Sequence, residues 1–132
     1  MLTAVAPAEA YRPHLETGLL WVVDDAGEAV AFLAARIAGD RLHIDELDVR
    51  QDRQGLGLGR RLLAHAKAEA LARGLARLSL TTFRSIPWNA PYYARFGFRG
   101  WPAAEAAEDV QQALANETSR GLKDRCAMVM DL

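Results

Sequence analysis

Leu42-His43-Ile44-Asp45-Glu46-Leu47-Asp48-Val49-Arg50 runs into Gln51-Asp52-Arg53-Gln54-Gly55-Leu56-Gly57-Leu58-Gly59, and then into an Arg-, Ala- and Leu-rich segment that lasts to Gly74. Apolar residues two apart give way to glycines and then to apolar residues four apart, so the stretch reads as strand, glycine turn and helix. Glycines at 55, 57 and 59 carry no Cβ that would hold a ligand away from the main chain. Successive N–H groups at the start of a helix form a site for an anion, and a phosphate-bearing ligand is its natural occupant. A glycine turn without a ligand is the plainer alternative, but so many glycines cost conformational entropy that only an exposed backbone explains.

The strand breaks its own alternation. Leu42 and Ile44 are apolar at even positions, Leu47 and Val49 at odd ones, and strict alternation would send the two pairs to opposite faces. One extra residue near Asp45 or Glu46, a β-bulge, gathers all four on one face and places His43, Asp45 or Glu46, and Asp48 on the other. A strand buried on both faces at different ends would give the same pattern.

Outward from this stretch, Leu19 to Val23 and Glu28 to Ile37 read as strands joined by a hairpin turn at Asp24 to Gly27. Gly39 and Asp40 turn the chain again, so the first three strands form an antiparallel meander, preceded by a short helix or loose segment over residues 1–17. Downstream, Leu58, Leu62, Ala66 and Ala70, widened by Leu63 and Leu71, make an amphipathic helix ending at Gly74. Ala76 to Phe83 is the next strand, parallel to 42–49 through that crossover. Asn89 can cap a short helix with Pro91 in its first turn and Gly97 at its end, before a short strand from Phe98 to Trp101. Pro102 to Gly121 reads as a surface helix broken near Asn116, and Arg125 to Met130 as a closing strand covered on both faces. The expected fold is α/β (α+β): a mixed, mostly antiparallel central sheet with helices on both faces.

With 132 residues, 51% hydrophobic and 25% charged, the chain suits one soluble domain spanning 1–132. A formal net charge of −1 argues against nucleic acid as the main partner. Arg50, Arg53, Arg60 and Arg61 flank the glycine turn, and such a local cluster fits a small anion. The single cysteine, Cys126, cannot form an internal disulfide and reads as a small core residue. A reducing compartment, the cytoplasm, is expected, with no membrane partner, since no apolar run reaches the roughly 18 residues of a span and no signal-peptide pattern opens the chain. No His, Cys or Asp spacing suggests a metal, and His14 and His65 read as surface residues.

The glycine spacing narrows the ligand. A dinucleotide fingerprint would need a glycine where the chain has Arg60 or Leu62, and a nucleoside-triphosphate loop would need Gly-Lys-Ser/Thr, which is absent. What remains, Gln54-x-x-Gly57-x-Gly59 followed by Arg60 and Arg61, resembles the acetyl-coenzyme A motif of the GNAT N-acetyltransferases. Asn89-Ala90-Pro91-Tyr92-Tyr93-Ala94-Arg95-Phe96-Gly97-Phe98 resembles that family's second signature, an asparagine followed by Tyr-x-x-x-Gly-Phe, with a shorter gap before the tyrosine. The resemblance is carried by Gly18 to Gly100. It implies the GNAT acyltransferase fold, acetyl-CoA as cofactor, and direct transfer of the acetyl group to a primary amine of a small molecule or a peptide.

Under that resemblance, the segment Gln54, Gly55, Leu56, Gly57, Leu58, Gly59 and Arg60 holds the pyrophosphate. The strand at Leu47, Asp48 and Val49 pairs with the pantetheine amides and polarises the acetyl carbonyl. Asn89 contacts the cofactor, unless it is only a helix cap. Tyr93 gives a proton to the departing thiolate, which suits a phenol of pKa near 10, unless it only packs against Phe96. Tyr92 points elsewhere on its helix. His43 and Asp45 are similar in position to two histidines of arylalkylamine acetyltransferases, and His43 lies near the glutamate of histone acetyltransferases. His43, Asp45 and Glu46 are therefore candidate bases, with Asp45 and Glu46 also able to attract a cationic substrate; a polar strand end facing solvent is the other reading of His43.

The family carries a further strand and two helices walling the acceptor pocket, whereas only 17 residues precede Gly18. Either that wall is reduced or a second copy of the chain, in a homodimer, completes it. An acyl-CoA sensor of the same fold without turnover is the rival from another class, and a different acyl chain such as succinyl is open.

Overall fold

Asp24 to Gly27 and Gly39–Asp40 fold the first half of the chain back on itself twice, and the sheet grows from there. The structure, a computed structural model, describes residues 11–87 and 89–132. Helix α1 (Arg12–Thr17) leads into strands β1 (Leu20–Asp25), β2 (Glu28–Ala38) and β3 (Arg41–Val49), an antiparallel meander. The glycine turn starts α2 (Leu58–Ala72); then come β4 (Arg77–Phe83), α3 (Ala90–Phe96), β5 (Arg99–Trp101), α4 (Glu108–Ser119) and β6 (Arg125–Asp131). Of the helix or loose segment expected over residues 1–17, the part from 1 to 10 lies outside the described residues.

The strands form one sheet in the order β1-β2-β3-β4-β6-β5, in which β3 and β4 are the one parallel pair among the described residues. The β2–β3 register passes from Ala34 opposite Glu46 to Ala35 opposite Ile44, so Asp45 is the extra residue of a bulge. Leu42, Ile44, Leu47 and Val49 consequently share the face that packs against Leu62, Leu63, Ala66 and Ala70 of α2 and Tyr93 of α3. Burying such leucines contributes about 1.5–3 kcal/mol each. The alternative, apolar pairs on opposite faces, does not hold, although the other face is covered too: His43 is 4% exposed and Asp48 3% exposed.

On that opposite face α4 lays Val110 over Trp101, Ala127 and Val129, and α1 covers the β1–β2 end with Tyr11 edge-on to Phe32 at 5.1 Å. Strand β6 is buried on both sides, Ala127 and Val129 toward α4, Met128 and Met130 toward α2 and α3. Two expectations need correction. Helix α4 runs unbroken from Glu108 to Ser119, through Asn116. Cys126 is half-buried at the edge of the core rather than inside it, since β6 emerges from under the helices there.

Candidate active site

Strands β3 and β4 pair only from Arg41 opposite Arg77 to His43 opposite Ser79, and then diverge. The bulge at Asp45 begins where the pairing stops. Between the separating strands lies a cleft of about 660 Å³, lined by Ile44 to Asp48 on one arm and Leu80 to Phe83 on the other.

Antiparallel pairing alternates, which fixes the direction of the main chain along the open arm. The Arg50 N–H donates to the Val30 carbonyl of β2 at 2.8 Å, so Asp48 and Glu46, two and four residues earlier, also face β2. Leu47 and Val49 therefore turn their N–H groups away from β2, into the gap. The Val49 carbonyl accepts from the Gln54 side-chain amide at 3.2 Å, tying the glycine turn to the strand end.

The turn itself is built of main chain. Gly55 and Gly57 have φ of +81° and +79°, and a Cβ on either would meet nothing within 4 Å, so both stand open on their outer side. Helix α2 makes its first bond from the Arg61 N–H to the Gly57 carbonyl at 3.0 Å. None of the N–H groups from Gly55 to Arg60 donates to a backbone carbonyl among the described residues, as the geometry of a helix start requires. This cradle fits a pyrophosphate. Gly59 has a different reason: a Cβ there would lie 2.7 Å from the Tyr92 hydroxyl, so this glycine makes room for a tyrosine of α3 rather than for a ligand. Leu56 and Leu58 lie in the same turn, Leu56 with its side chain exposed.

The arginine cluster also needs correction. Arg50 bonds Asp52 and Glu28, and Arg53 bonds Asp52 and Asp25, so these two are neutralised. Arg60 and Arg61 pair with no carboxylate among the described residues, and Arg60 sits 5.9 Å from the Phe96 ring. The positive charge available to an anion is thus on the helix side of the turn.

Of the candidate bases, His43 is the weakest on geometry. Its Nδ1 lies 2.8 Å from the Ser79 hydroxyl, which also accepts from Arg41 at 2.8 Å. Arg41 in turn bonds Asp109 at the start of α4 and lies over the Trp101 ring at 5.6 Å. Burial pushes the His43 pKa down to about 4, so it is neutral and a poor proton acceptor at pH 7. The solvent-facing reading fails too, because α4 covers it. Asp45 is occupied: His14 Nε2 lies 2.8 Å from one oxygen and Arg36 donates to the other at 3.1 Å. His14, expected without a partner, is held there because the bulge throws Asp45 toward α1. His65 stacks edge-on against Trp21 at 5.4 Å and takes no part.

Glu46, the third candidate, lines the cleft without an ion pair among the described residues. It is half-buried beside Asp48, and burial together with the neighbouring carboxyl pushes its pKa up to about 7. Tyr93, 7% exposed, lines the same cleft and packs against Tyr92 at 5.5 Å and Phe98 at 5.8 Å. Burial raises its pKa, which keeps the phenol protonated. Asn89 occupies the capping position of α3 but makes no capping bond; its Oδ1 accepts from the Thr82 hydroxyl at 3.1 Å on the cleft wall.

Sequence reasoning missed α4 as a wall of the cleft. Ala113, Asn116, Glu117 and Arg120 all line it, and their spacing of three and four puts them on one helical face. Arg125 joins them, donating to Glu117 at 2.8 Å and lying 4.4 Å from the Phe83 ring. That spacing was the available signal.

A sheet that forks between its parallel strands, beside a glycine turn opening a helix, is an acyltransferase architecture. A scan against protein-family models matches the Acetyltransferase (GNAT) family over residues 4–98, and the chain belongs to that family. Among solved structures it is similar to N-acetylglutamate synthase from Neisseria gonorrhoeae complexed with coenzyme A and N-acetyl-glutamate (22% identity, TM-score 0.78, 97% of this chain and 28% of that one). It is similar also to the ribosomal-protein-S18-alanine N-acetyltransferase from Escherichia coli (26% identity, TM-score 0.64, 86% of this chain and 68% of that one). A third is the PaiA N-acetyltransferase from Thermoplasma acidophilum in complex with coenzyme A (14% identity, TM-score 0.65, 86% and 60%). The chain spans just over a quarter of the first of these.

Proposed function

We propose that this chain is an acetyl-CoA-dependent N-acetyltransferase that acts on a primary amine by direct transfer, with Glu46 as base and Tyr93 as acid. The observation that carries the reading is the fork: main-chain N–H groups of Leu47 and Val49 facing the gap, with a carboxyl of raised pKa between them and α4. Bound acetyl-CoA supplies the thioester. The Gly55 to Arg60 N–H groups hold its diphosphate, helped by the positive end of α2 and by Arg60 and Arg61.

A neutral amine must be made before it can attack. Glu46, poised near neutral pH, takes a proton from the acceptor's ammonium, directly or through one water, and a base matched to the working pH does this best. The Leu47 or Val49 N–H, fixed by the sheet, stabilises developing negative charge on an oxygen placed in the fork. The Tyr93 hydroxyl holds the proton that a departing thiolate requires, and regains it from the nitrogen through solvent. Asn89 and Asp48 shape the cleft around these groups.

The test is thiol release from acetyl-CoA across a panel of amines and peptides, beside calorimetry of CoA binding. Turnover that falls in E46Q and Y93F supports the assignment. CoA binding with no responsive amine would leave the sensor reading in its place, and no binding would remove both.

A further inference from the structure

Helix α4 is held to the sheet in two different ways along its length. Its first half is gripped by packing: Val110, fully buried, sits with Ala107 and Leu114 against Trp101, Ala127 and Val129, and Asp109 bonds the buried Arg41. Its second half has no such grip, since from Ala115 to Ser119 every residue but Glu117 is exposed. Glu117 is the residue that reaches the sheet there. One carboxylate oxygen accepts from Arg125 Nε at 2.8 Å and the other from the Thr81 hydroxyl at 3.1 Å, while Arg125 Nη2 donates to that same hydroxyl at 3.2 Å. The three side chains close a ring. Glu117 and Arg125 are each only 16% exposed, and the Arg125 guanidinium lies 4.4 Å from the Phe83 ring.

We propose that Glu117 is a positioning residue: through Arg125 and Thr81 it fixes the second half of α4 as a wall of the cleft, and so sets how tightly the amine acceptor is held. This rests on the N-acetyltransferase reading and names a residue that acts on the acceptor through others. Ala113, Asn116 and Arg120 line the cleft from that half of the helix, and their distance from the β4 arm is fixed only while the ring is closed. A wall displaced by even about 1 Å loses much of the orientation that a bound reactant needs. The plainer reading is a staple between a helix and the strand that follows it, which Arg125, eight residues on, would supply by itself. The bond to Thr81 goes further, because it ties α4 to β4, the strand that parts from β3 at the fork. A staple needs neither that bond nor a place in the cleft, and Glu117, Arg125 and Thr81 all line it.

The experiment uses wild type, E117A and the double variant E117A/R125A, with the amine that wild type acetylates best. Acetyl transfer is read as kcat and KM, CoA binding by calorimetry, and the helix itself by hydrogen exchange of its main-chain amides. In E117A the acceptor KM should rise about tenfold, the range of a charge-assisted hydrogen bond, with kcat and CoA affinity within about twofold of wild type. Exchange should quicken about tenfold over residues 115–119 and stay unchanged over 108–112, where packing holds the helix. The single variant leaves a partly buried guanidinium without its partner; the double variant removes both charges and should keep the raised KM. If KM in the double variant returns to the wild-type value, the effect came from the orphaned Arg125 and the proposal is wrong. It is equally wrong if E117A leaves KM or the exchange of residues 115–119 unmoved, or if kcat and CoA affinity fall together with acceptor binding; in each case N-acetyltransfer by wild type stands. If wild type acetylates no amine, the broader reading fails and the acceptor wall with it.

Discussion

The two ends of the cleft are made of different material. At the α2 end the open groups are main-chain N–H donors, exposed at Gly55 and Gly57 and at the start of a helix. At the α4 end they are side chains: Glu46 and Asp48 from β3, Glu117 and Arg120 from α4, Arg125 from β6. A main-chain site accepts any group with the right charge and shape, and no single side chain decides its occupant. A side-chain site is decided by each residue in it. Under the proposed function the α2 end takes the cofactor and the α4 end decides the acceptor.

The largest effect should come from the side-chain end. E46Q is expected to lower kcat/KM by on the order of 10²–10⁴, the usual contribution of a general base. Because the base works deprotonated and its pKa is raised from 4.5 to about 7, activity falls as pH drops through about 7. The variant should lack that limb. D48N sharpens the point: removing the neighbouring carboxyl should move the limb to lower pH while leaving catalysis in place. A limb near pH 7 that persists in E46Q would assign the base elsewhere and erase the contrast between the two ends.

The same contrast explains what could be read from the chain alone. The α2 end is local in sequence, glycines in one turn followed by a helix, so the turn and the helix after it were legible. The bulge was legible as a phase slip in β3, though only the register against β2 assigns it to Asp45. The α4 end assembles residues from positions 36 to 125; the spacing of Ala113, Asn116, Glu117 and Arg120 marks one face of α4, but only the fold shows that this face leans over the fork. Nor could sequence show that Arg50 and Arg53 are spent on Asp25, Glu28 and Asp52, since those contacts depend on the β1–β2 turn lying beside the glycine turn.

Next in size is a test of whether every glycine of the turn serves the ligand. In G59A the new methyl must displace the Tyr92 hydroxyl from 2.7 Å, at a cost of about 1–3 kcal/mol for overpacking. Y92F in the same chain should recover most of that loss, because the ring carbon beyond the hydroxyl lies 3.6 Å away. Urea denaturation of the four proteins forms a double-mutant cycle. Additive losses would show that Gly59 does not answer to Tyr92.

A smaller effect separates the arginines. R60A and R61A should each weaken CoA binding about fivefold, roughly 1 kcal/mol, and the loss should shrink at high salt. R50A and R53A should leave it nearly unchanged, their charge being already matched by Asp52, Glu28 and Asp25. Equal losses at all four positions would restore the undivided cluster that the sequence suggested.

The last effect concerns stability, and it sets His43 against Glu46. Burial lowers the His43 pKa from 6.5 to about 4 in the folded chain, so protonation favours unfolding. Its neutral form is held at full strength above pH 6.5, and stability declines as pH falls from there through about 4, by at most about 1.4 kcal/mol per pH unit. Glu46 has the opposite sign: its folded pKa is raised, so its contribution is complete below 4.5 and is lost as pH rises through about 7. In H43N, whose amide can still bond the Ser79 hydroxyl, the decline on the acid side should flatten while the decline toward neutral pH remains. Urea midpoints at pH 7.5, 6 and 5 for wild type and H43N separate the two. A histidine that carried the proton of the reaction would need to be charged and uncharged in turn at working pH; an acid-side slope that disappears with His43 shows instead a neutral ring locked beneath α4, bracing the fork where β3 leaves β4.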